Sequence, residues 1–441
     1  MTETFRAVCR DAWQQGLLSG CNGNASRRLP APHEDIACLT CTGAAKGRLA
    51  PQNCCLVEIA NAAPLYGGPA STESGMHLAI YRAKPQCGAI LHTHPRRLLA
   101  LSLARQGHQV EVFDAHGPSA DGAAAPVAAA MLAPLAESAV TEPNVVRMGQ
   151  HSLERWPQLL HSLATPVYFQ RNGTLIVWHR QDGPEAQRLA GLFDKNYHLN
   201  TSLPRPEQLD AQRLAAVEPA LQGRFQAGIL LPDEGQLDNR QLLPALVAEL
   251  HTLGVALHWH SPKELSDFAP GQPGQPDLVL DCRGLGAQSA WPQLRGVRGE
   301  VIRVHAPEVT LQRPTRLIHP RYSLYIAPKE NHVFVIGATE IESSDAGPAS
   351  LRSTMELLSA LYTVHSGFAE ARILELNTGL RPTLPDNLPA LRWVGERVLQ
   401  VNGLYRHGFM ISPTMHDITL QVLADGTSPL AAQMQVPVLQ G

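Results

Sequence analysis

The feature that most constrains the fold of this chain is the order of three short segments between residues 87 and 114. CGAILHTH is apolar like a buried strand, RRLLALSLARQG has helical periodicity and ends at Gly107, and HQVEVFD reads as a second strand that ends at Asp114. Glycine is a common residue just past a helix C-terminus. The order strand, helix, strand predicts a βαβ unit.

The acidic residue that closes the second strand narrows this prediction to a dinucleotide-binding unit. In such units an acid in this place hydrogen-bonds the ribose, and a GxGxxG turn before the helix holds the pyrophosphate. Here Asp114 is the acid, but Leu91, Thr93 and Arg96 occupy the three glycine positions. Arg96 and Arg97 would either attract the pyrophosphate by charge or exclude it by bulk. The sequence therefore predicts a nucleotide-binding fold with an altered phosphate loop.

The rest of the chain reads as a mixture of strands and helices without a fixed repeat. In the front piece we predict a helix over residues 3–18, strands at DIACLT and CCLVEIA, and a helix over Met76–Arg82. An Ala-rich loop and helix are predicted between Ala123 and Ala136. Further on we predict strands in VYFQRNGTLIVWH and PDLVLDCRGLGA and helices near Gln187–Ala216 and over Arg240–Leu253.

Charge and hydropathy exclude several classes of partner. The 36 basic and 39 acidic residues nearly cancel, and no run of Lys or Arg forms a footprint for nucleic acid or anionic lipid. No stretch of about 18 apolar residues is present, and the start lacks the apolar core of a signal peptide. We therefore expect a cytoplasmic protein that acts on a small molecule and binds neither nucleic acid nor membrane.

The cysteines are unevenly distributed, which indicates two pieces of different origin. Seven of the eight lie in the first 87 residues, and Cys282 alone follows. Cys38 and Cys41 form a CxxC, which is half a zinc site, a redox pair or a coincidence, since no second CxxC exists. In a reducing compartment we expect these cysteines to be thiols.

Three fragments of the front piece resemble the N-terminal half of class II (zinc-dependent) aldolases and adducins, over roughly residues 5–105. The fragments are GCNGNAS, CTGAAKGRLAPQNCCLVEI and STESGMHLAIYRAKPQCGAILHTHP. The resemblance implies a substrate-phosphate cradle made by Asn24, Thr42, Gly43, Ser71 and Thr72.

The same resemblance implies Glu73 as a proton-transfer base and His92 and His94 as zinc ligands. Histidines two apart at a strand end point the same way and can share one metal. A catalytic zinc ordinarily takes three protein ligands, and the family's third histidine lies in a back half that this chain does not show. The pair is therefore either part of a zinc site or a relic or weak adventitious metal binder.

From about residue 97 onward, the sequence resembles FAD-dependent D-amino acid and glycine oxidases, in particular those of thiamine biosynthesis. Six segments follow one another in the order of that family. They are the helix and strand that end at Asp114, and then VYFQRNGTLIVW, RGVRGEVIRV, YIAPKENHVFVIGATE, NTGLRP and NGLYRHGFMISP. The resemblance implies FAD as the cofactor and an amino acid and oxygen as the substrates.

The resemblance also assigns residues. Arg381 matches the arginine that binds the substrate carboxylate, for which a two-pronged guanidinium is well suited. Tyr325 matches a tyrosine that lines the same pocket, and Arg406 begins the segment that meets the flavin ring. The implied cofactor-binding residues are Asp114, Ala130, Met131, Gly284, Gly286, His407, Gly408, Phe409 and Met410.

The fold class we predict is α/β and α+β: a Rossmann-like FAD-binding domain interleaved with an antiparallel-sheet substrate domain, behind a truncated class II aldolase-like segment. The expected division is an aldolase-like segment over 1–96, FAD-binding parts over 97–165, 276–300 and 376–441, a mixed cap and FAD-binding part over 166–275, and substrate-domain sheet over 301–375.

The expected function is oxidation of glycine or a small D- or N-alkyl amino acid to the imine with production of peroxide, in a homo-oligomer. Loss of the glycine loop is expected to impair it. Two alternatives stay open at this point: a zinc-dependent aldolase or dehydratase acting on a phosphorylated sugar, and a fusion product without catalytic activity.

Overall fold

The computed structural model describes residues 26–28, 36–41, 53–59, 64–66, 97–119, 122–318 and 324–441. The strands of these ranges are β1 (Ser26–Arg28), β2 (Ile36–Thr40), β3 (Cys54–Glu58), β4 (Pro64–Tyr66), β5 (Glu111–Phe113), β6 (Met131–Leu132), β7 (Phe169–Gln170), β8 (Thr174–Val177), β9 (Glu207–Asp210), β10 (Ala227–Leu231), β11 (Gly235–Leu237), β12 (Ala256–His258), β13 (Val279–Asp281), β14 (Arg295–His305), β15 (Thr315–Leu317), β16 (Leu324–Pro328), β17 (Val333–Gly337), β18 (Arg372–Thr383), β19 (Ala390–Trp393), β20 (Val398–Asn402) and β21 (Val438–Gln440).

The helices are α1 (Arg97–Arg105), α2 (Pro134–Glu137), α3 (Pro143–His161), α4 (Gly183–Leu199), α5 (Ala211–Val217), α6 (Asn239–Thr252), α7 (Leu351–Val364), α8 (Gly408–Asp425) and α9 (Pro429–Met434). Short 3₁₀ turns lie at Arg180–Asp182, Pro219–Leu221, Leu265–Asp267, Gly284–Ala287, Ser366–Glu370 and Tyr405–His407. Within the described ranges, no helix has the length and apolar character needed to cross a bilayer.

The front piece contributes a four-stranded antiparallel sheet in the order β1-β2-β3-β4. Strands β2 and β3 confirm the two strands predicted at DIACLT and CCLVEIA. The predicted helices over 3–18 and Met76–Arg82 and the predicted strand CGAILHTH lie outside the described residues.

The helix and second strand of the predicted βαβ unit are confirmed as α1 and β5. Leu101 of α1 and Val112 of β5 belong to one apolar core with Leu246 and Leu250 of α6. β5 pairs in parallel with β12, as a doubly wound sheet requires. Helix α1 therefore packs on the strand that ends at Asp114.

A second small sheet, ordered β13-β20-β19-β21, is covered by helices α3 and α8. β13 and β20 are parallel, and β19 is antiparallel to β20 and parallel to β21. α3 and α8 are joined by polar contacts as well as apolar ones, since Arg155 forms two hydrogen bonds with the Asp417 carboxylate at 2.7 and 3.0 Å. Helix α8 is thereby fixed against α3.

The largest sheet has eight strands in the order β18-β14-β17-β16-β15-β8-β10-β9. All neighbouring pairs are antiparallel except β15 and β8, which are parallel. One face carries a continuous apolar core with helix α7, including Ile326, Ile336 and Leu361. Because side chains alternate along a strand, the intervening residues of β14–β17 point to the opposite face. That opposite face, which we call the inner face, packs on Ala129 and Met131.

One secondary-structure prediction is wrong in part. The helical pattern near Gln187–Ala216 is divided into α4 and α5, and strand β9 lies between them. Two prolines, Pro204 and Pro206, occupy the interval. Proline lacks the amide hydrogen that a helix interior needs and moves the preceding residue toward extended conformations, so the helix cannot continue through this segment.

Candidate functional site

Arg381 lies on β18, and its side chain crosses the neighbouring strand. Arg381 pairs with Val297 of β14, and its guanidinium extends over Gly299, where an added Cβ would overlap it. Its two terminal nitrogens donate to Arg298 O at 3.3 Å and to Thr339 O at 3.1 Å. In the described part of the chain no carboxylate forms an ion pair with this guanidinium. Arg381 therefore forms no direct ion pair with a described carboxylate, and the Glu340 carboxylate interacts with its charge only at longer range.

Tyr325 lies on the inner face in the middle of the same sheet. It pairs with Gly337 on one side and with Arg316 on the other. A Cβ at Gly337 would come 2.8 Å from the Tyr325 hydroxyl oxygen, so this glycine leaves room for the phenol ring. Burial raises the pKa of Tyr325, and the nearby charges of Arg381 and Arg316 only partly oppose that effect. The hydroxyl is therefore protonated at neutral pH and can donate a hydrogen bond.

The carboxylate of Glu137 joins two arginines beside Tyr325. It accepts from Arg316 at 2.6 Å and from Arg406 at 2.7 Å, and only 9% of the residue is exposed. Burial alone would raise the pKa of this carboxyl, but the charges of Arg406 and Arg316 outweigh burial and lower it to about 2. Neither Glu137 nor Arg316 was predicted from the sequence as a site residue.

Arg406 is also held by a second carboxylate. Its Nη1 donates to Glu340 Oε2 at 2.7 Å, and the Tyr405 hydroxyl donates to Glu340 Oε1 at 2.5 Å. Burial and this contact with Glu340 raise the pKa of Tyr405. Arg406 thus lies between two carboxylates, whereas Arg381 has no carboxylate partner among the described residues. Two arginines that the sequence assigns to one site are electrostatically different.

The turn after Arg406 leads directly into the N-terminus of α8. His407 is the N-cap residue, but its side chain forms no capping hydrogen bond with the first turn. Burial lowers the pKa of His407 to about 4, so the imidazole is neutral at pH 7. The first amide groups of a helix lack acceptors within the helix and carry a partial positive charge. The N-terminus of α8 therefore offers hydrogen-bond donors to an acceptor that lies next to Gly408.

Two contacts fix the position of this N-terminus. The indole Nε1 of Trp156 donates to Phe409 O at 3.0 Å. Gly149 of α3 lies so near that a Cβ there would come 2.8 Å from Pro134 Cβ and 3.1 Å from Met410 Cγ. The lack of a side chain at position 149 lets α3, α2 and α8 approach closely.

The Ala-rich segment before α2 is held by its carbonyl groups. Asn239 Nδ2 donates to the carbonyls of Ala125, Pro126 and Ala128 at 2.7–3.0 Å. Lys329 Nζ donates to Ala129 O at 2.8 Å, and burial lowers the pKa of this lysine to about 7. Ala130 follows with a positive φ of 52°. The segment that contains Ala130 and Met131 is therefore tied to the inner face and to α6.

Asp114 is buried where β5 ends, with 3% of its surface exposed. Its Oδ1 accepts from the His116 amide at 2.8 Å. The guanidinium of Arg97 lies near this carboxylate. It donates hydrogen bonds to Leu243 O at 3.0 Å and to Pro118 O at 2.8 Å. Its Cζ also lies over the indole of Trp259, 5.4 Å from the ring centroid. Arg97 is thus engaged by backbone carbonyls and an indole ring.

The predicted turn at Gly284 and Gly286 is a 3₁₀ turn at the end of β13, and Gly284 has a positive φ of 58°. Asn402 Nδ2 donates to Gly284 O at 2.9 Å, which ties this turn to β20. Arg283, which interrupts the glycine pattern, is buried and donates to Asp281 at 2.8 Å and to Glu264 at 2.7 Å. This arginine side chain is therefore held in an ion-pair cluster.

The predicted zinc and phosphate residues lie outside the part of the chain that the structure describes. They are Glu73, His92, His94, the three substituted glycine positions, Asn24, Thr42, Gly43, Ser71 and Thr72. Within the described ranges, no three His, Cys, Asp or Glu side chains are grouped as a metal site would need. In those same ranges Cys38, Cys41, Cys54 and Cys55 are buried thiols, and burial raises the pKa of Cys55 to about 12.

Comparison with known proteins identifies the class. The sequence matches the FAD dependent oxidoreductase family over residues 98–419. It also matches the class II aldolase and adducin N-terminal domain over residues 3–180, so the two matches overlap across α1, β5 and α3. The chain belongs to the FAD-dependent oxidoreductases of the glycine and D-amino acid oxidase family, and it carries an N-terminal class II aldolase segment.

Individual relatives match the two families separately. A putative thiamine biosynthesis oxidoreductase of Rhizobium etli is 40% identical over 321 residues, which cover 72% of this chain and 90% of the relative. A methylthioribulose-1-phosphate dehydratase of Pectobacterium carotovorum is 36% identical over 105 residues, which cover 24% of this chain and 49% of that enzyme. The chain therefore spans about half the length of the dehydratase and nearly all of the oxidoreductase.

Solved structures support the fold. Iminodiacetate oxidase from Chelativorans sp. BNC1 superposes with a TM-score of 0.64 at 22% identity, covering 78% of this chain and 96% of that one. Glycine oxidase from Geobacillus kaustophilus superposes with a TM-score of 0.63 at 21% identity, covering 74% and 91%. The mixed α/β architecture is that of FAD-dependent amino-acid oxidases.

Proposed function

We propose that this protein oxidises glycine, or a small D- or N-alkyl amino acid, to the imine and reduces oxygen to hydrogen peroxide. The observation that carries the proposal is that the side chains of Arg381 and Tyr325 both lie on the inner face of the sheet. Arg381 has a guanidinium that forms no direct ion pair with a described carboxylate, and Tyr325 has a protonated hydroxyl beside it. A cation with two parallel donors and a phenol donor fit one substrate carboxylate.

In this proposal the neighbouring charges position the site. Glu137 and Glu340 both bind Arg406, so that arginine has little charge left for a substrate anion. Its role is to hold the turn that leads into α8 at a fixed distance from the inner face. Arg381 and Tyr325 bind the substrate, and Glu137 and Arg406 keep the two walls of the pocket together.

The described residues include groups suited to two parts of FAD, the ribose and the flavin ring. Asp114 supplies a carboxylate at the carboxyl end of β5, where a ribose diol is bound in dinucleotide folds. The N-terminus of α8, from Gly408 to Met410, supplies amide donors suited to an acceptor on the flavin ring. Gly284 and Gly286 and the segment at Ala130 and Met131 complete the proposed cofactor contacts. When bound, FAD supplies the hydride acceptor, so the side chains only have to position and polarise the substrate.

The part of FAD that we expect this chain to bind weakly is the pyrophosphate. Leu91, Thr93 and Arg96 replace the glycines that let the backbone approach phosphate oxygens. We infer that FAD binds more weakly here than in a protein with the complete GxGxxG turn. Titration of the purified chain with FAD, followed by flavin fluorescence, tests this. Tight stoichiometric binding would contradict the inference.

The oxidase proposal is tested by a peroxide assay with added FAD, using glycine, sarcosine and D-alanine. The intact chain should release peroxide with at least one of them. Arg381→Ala should lose activity, and Arg381→Lys should recover little, because lysine cannot form the bidentate contact. Arg188→Ala is the matched control, since Arg188 pairs with Glu185 on the surface of α4. Equal activity in Arg381→Ala and Arg188→Ala would defeat the proposal.

The two alternative functions receive no specific support from the described residues. A zinc-dependent lyase would need Glu73, His92 and His94 together with a third ligand. Metal analysis of the purified chain decides this: about one zinc per chain would favour the lyase. Absence of peroxide from all three substrates, together with absence of zinc, would favour a non-catalytic fusion.

A further inference from the structure

Lys329 is a buried lysine whose ammonium lies between the inner face and strand β11. The residue follows β16 at the turn into β17, and its own amide donates to Val333 O at 2.7 Å. Only 6% of its surface is exposed. Lysine is rarely buried to this degree unless polar groups meet its charge. The contacts of the ammonium therefore indicate its role.

The ammonium group donates three hydrogen bonds, which is as many as it can make. The acceptors are Ala129 O at 2.8 Å, Gln236 Oε1 at 3.0 Å and Leu237 O at 2.8 Å. All three acceptors are uncharged, and two of them are main-chain carbonyls. Because each hydrogen of the ammonium has an acceptor, the lysine and these two stretches of backbone fix one another's positions.

The backbone that Lys329 contacts lies on both sides of Ala130. The carbonyl of Ala129 belongs to the peptide bond that precedes it, and Leu237 N donates to Ala130 O at 3.2 Å. Strand β11 also pairs with β6, which begins at the next residue. Ala130 has a φ of 52°, a conformation that residues other than glycine rarely adopt. The hydrogen bonds of Lys329 therefore help to hold this conformation.

We propose that Lys329 is a positioning residue for the cofactor, whose ammonium holds residues 129–131 in the conformation that receives the flavin, and that loss of a proton from it weakens FAD binding. A neutral amine has two N–H groups and a lone pair, so it leaves one of the three acceptors without a donor. The inference rests on the proposed function, because it requires the segment at Ala130 and Met131 to contact FAD.

The ammonium loses its proton in the neutral pH range. Burial lowers the pKa of Lys329 to about 7, the charge of Asp238 opposes that effect, and the charge of Arg303 adds to it. Further charged and titratable groups around this cluster are Tyr168, Arg240, Glu330 and Glu375. The ammonium form predominates below pH 7, so FAD should bind more tightly at pH 6 than at pH 8. By linkage, FAD binding should take up protons at pH 7.

The test uses the full chain, titrated with FAD at pH 6 and pH 8 and followed by flavin fluorescence. Loss of one such hydrogen bond predicts a Kd about three- to tenfold higher at pH 8. Calorimetry at pH 7, in buffers of different ionisation enthalpy, should show proton uptake on binding. Lys329→Met has no donor, so it should bind FAD at least about tenfold more weakly and lose both the pH dependence and the proton uptake. Lys195→Met, an exposed change of the same kind on α4, should behave as the intact chain.

A second variant, Gln236→Met, covers the case in which Lys329→Met fails to fold. It removes one acceptor and leaves the two main-chain carbonyls, which the two N–H groups of a neutral amine can satisfy. We expect this variant to bind FAD with the same affinity at pH 6 and pH 8. A Kd that rises between these pH values as much as in the intact chain would overturn the proposal.

Amide hydrogen exchange of the flavin-free chain tests the positioning without the cofactor. Residues 129–132 should exchange about tenfold faster in Lys329→Met than in the intact chain or in Lys195→Met. Equal exchange, or equal affinity of Lys329→Met and the intact chain for FAD, would overturn this inference and leave the oxidase proposal standing. An intact chain that binds no FAD would overturn both.

Discussion

The guanidinium of Arg381 lies over the backbone of Gly299, on the strand next to its own, and an added Cβ at Gly299 would overlap it. The same relationship recurs one strand further, where Gly337 leaves room for the Tyr325 hydroxyl. Two glycines of neighbouring strands thus let two long side chains lie flat across the inner face. The binding geometry of the proposed site therefore depends on residues that contribute no side chain.

The first prediction concerns Gly299→Ala. The new methyl group should displace the Arg381 guanidinium and raise the KM for the amino acid by about tenfold or more, since overpacking of this kind costs about 1–3 kcal/mol. Steady-state peroxide kinetics measure it. The matched control is Gly379→Ala, at the position that pairs with Gly299, where a Cβ would meet Val127 at an ordinary 3.4 Å. Equal KM values for the two variants would contradict the account.

The second prediction concerns acid stability and Glu137. Its carboxyl has a pKa lowered from 4.5 to about 2, so its contribution to folding is complete above pH 4.5 and is lost as the pH falls toward 2. The contribution is on the order of 3 kcal/mol. Glu137→Gln should be less stable at pH 7 and should lose less free energy of unfolding between pH 5 and pH 3. Urea denaturation at several pH values measures this, and parallel curves would refute it.

The third prediction concerns Glu234, through which the free energy of unfolding should change with pH in the direction opposite to that for Glu137. Because burial raises the pKa of this carboxyl to about 7, the folded chain binds more protons than the unfolded chain between pH 4.5 and pH 7. The free energy of unfolding should therefore decrease across that interval, by up to about 3 kcal/mol from this group. Glu234→Gln should remove the decrease. The same decrease in the variant would assign it to other groups.

The fourth prediction concerns the approach of α3 to α8. A methyl group at Gly149 would meet Pro134 at 2.8 Å and Met410 at 3.1 Å, so Gly149→Ala should destabilise the fold by about 1–3 kcal/mol and weaken FAD binding. Gly191→Ala in α4 is the control, because, apart from its chain neighbours and the backbone of its own helix, no atom of the described residues lies within 4 Å of its added Cβ. That control should gain about 0.5–1 kcal/mol from helix propensity. Thermal melts and FAD titration compare the two variants.

The elements that could be predicted from the sequence are those with a local pattern. Helix α1 and strand β5 have clear apolar periodicity, and Arg381 and Tyr325 lie in motifs that resemble a family. Glu137 and its two arginine partners have no such signal, because 179 residues separate it from Arg316 and 269 from Arg406. Ion pairs over such distances arise only from tertiary folding. The one local hint was a lone acidic residue at the end of an Ala-rich apolar segment.

Other parts of the sequence interpretation stay predictions. The division at residue 96 and the later domain limits depend on motifs, and the aldolase match that continues to residue 180 crosses the first of them. The roles of Arg381, Tyr325, Arg406 and the cofactor-binding residues are likewise proposals that the variants above are designed to test.

The most direct test of the central claim is anaerobic reduction of the FAD-loaded protein by the amino acid. The visible absorption band of the bound flavin should bleach when glycine or sarcosine is added to the intact chain, and admission of oxygen should restore it with release of peroxide. Arg381→Ala should retain the band and fail to bleach at the same substrate concentration. A flavin that no small amino acid reduces, or one that Arg381→Ala allows to be reduced equally fast, would contradict the account.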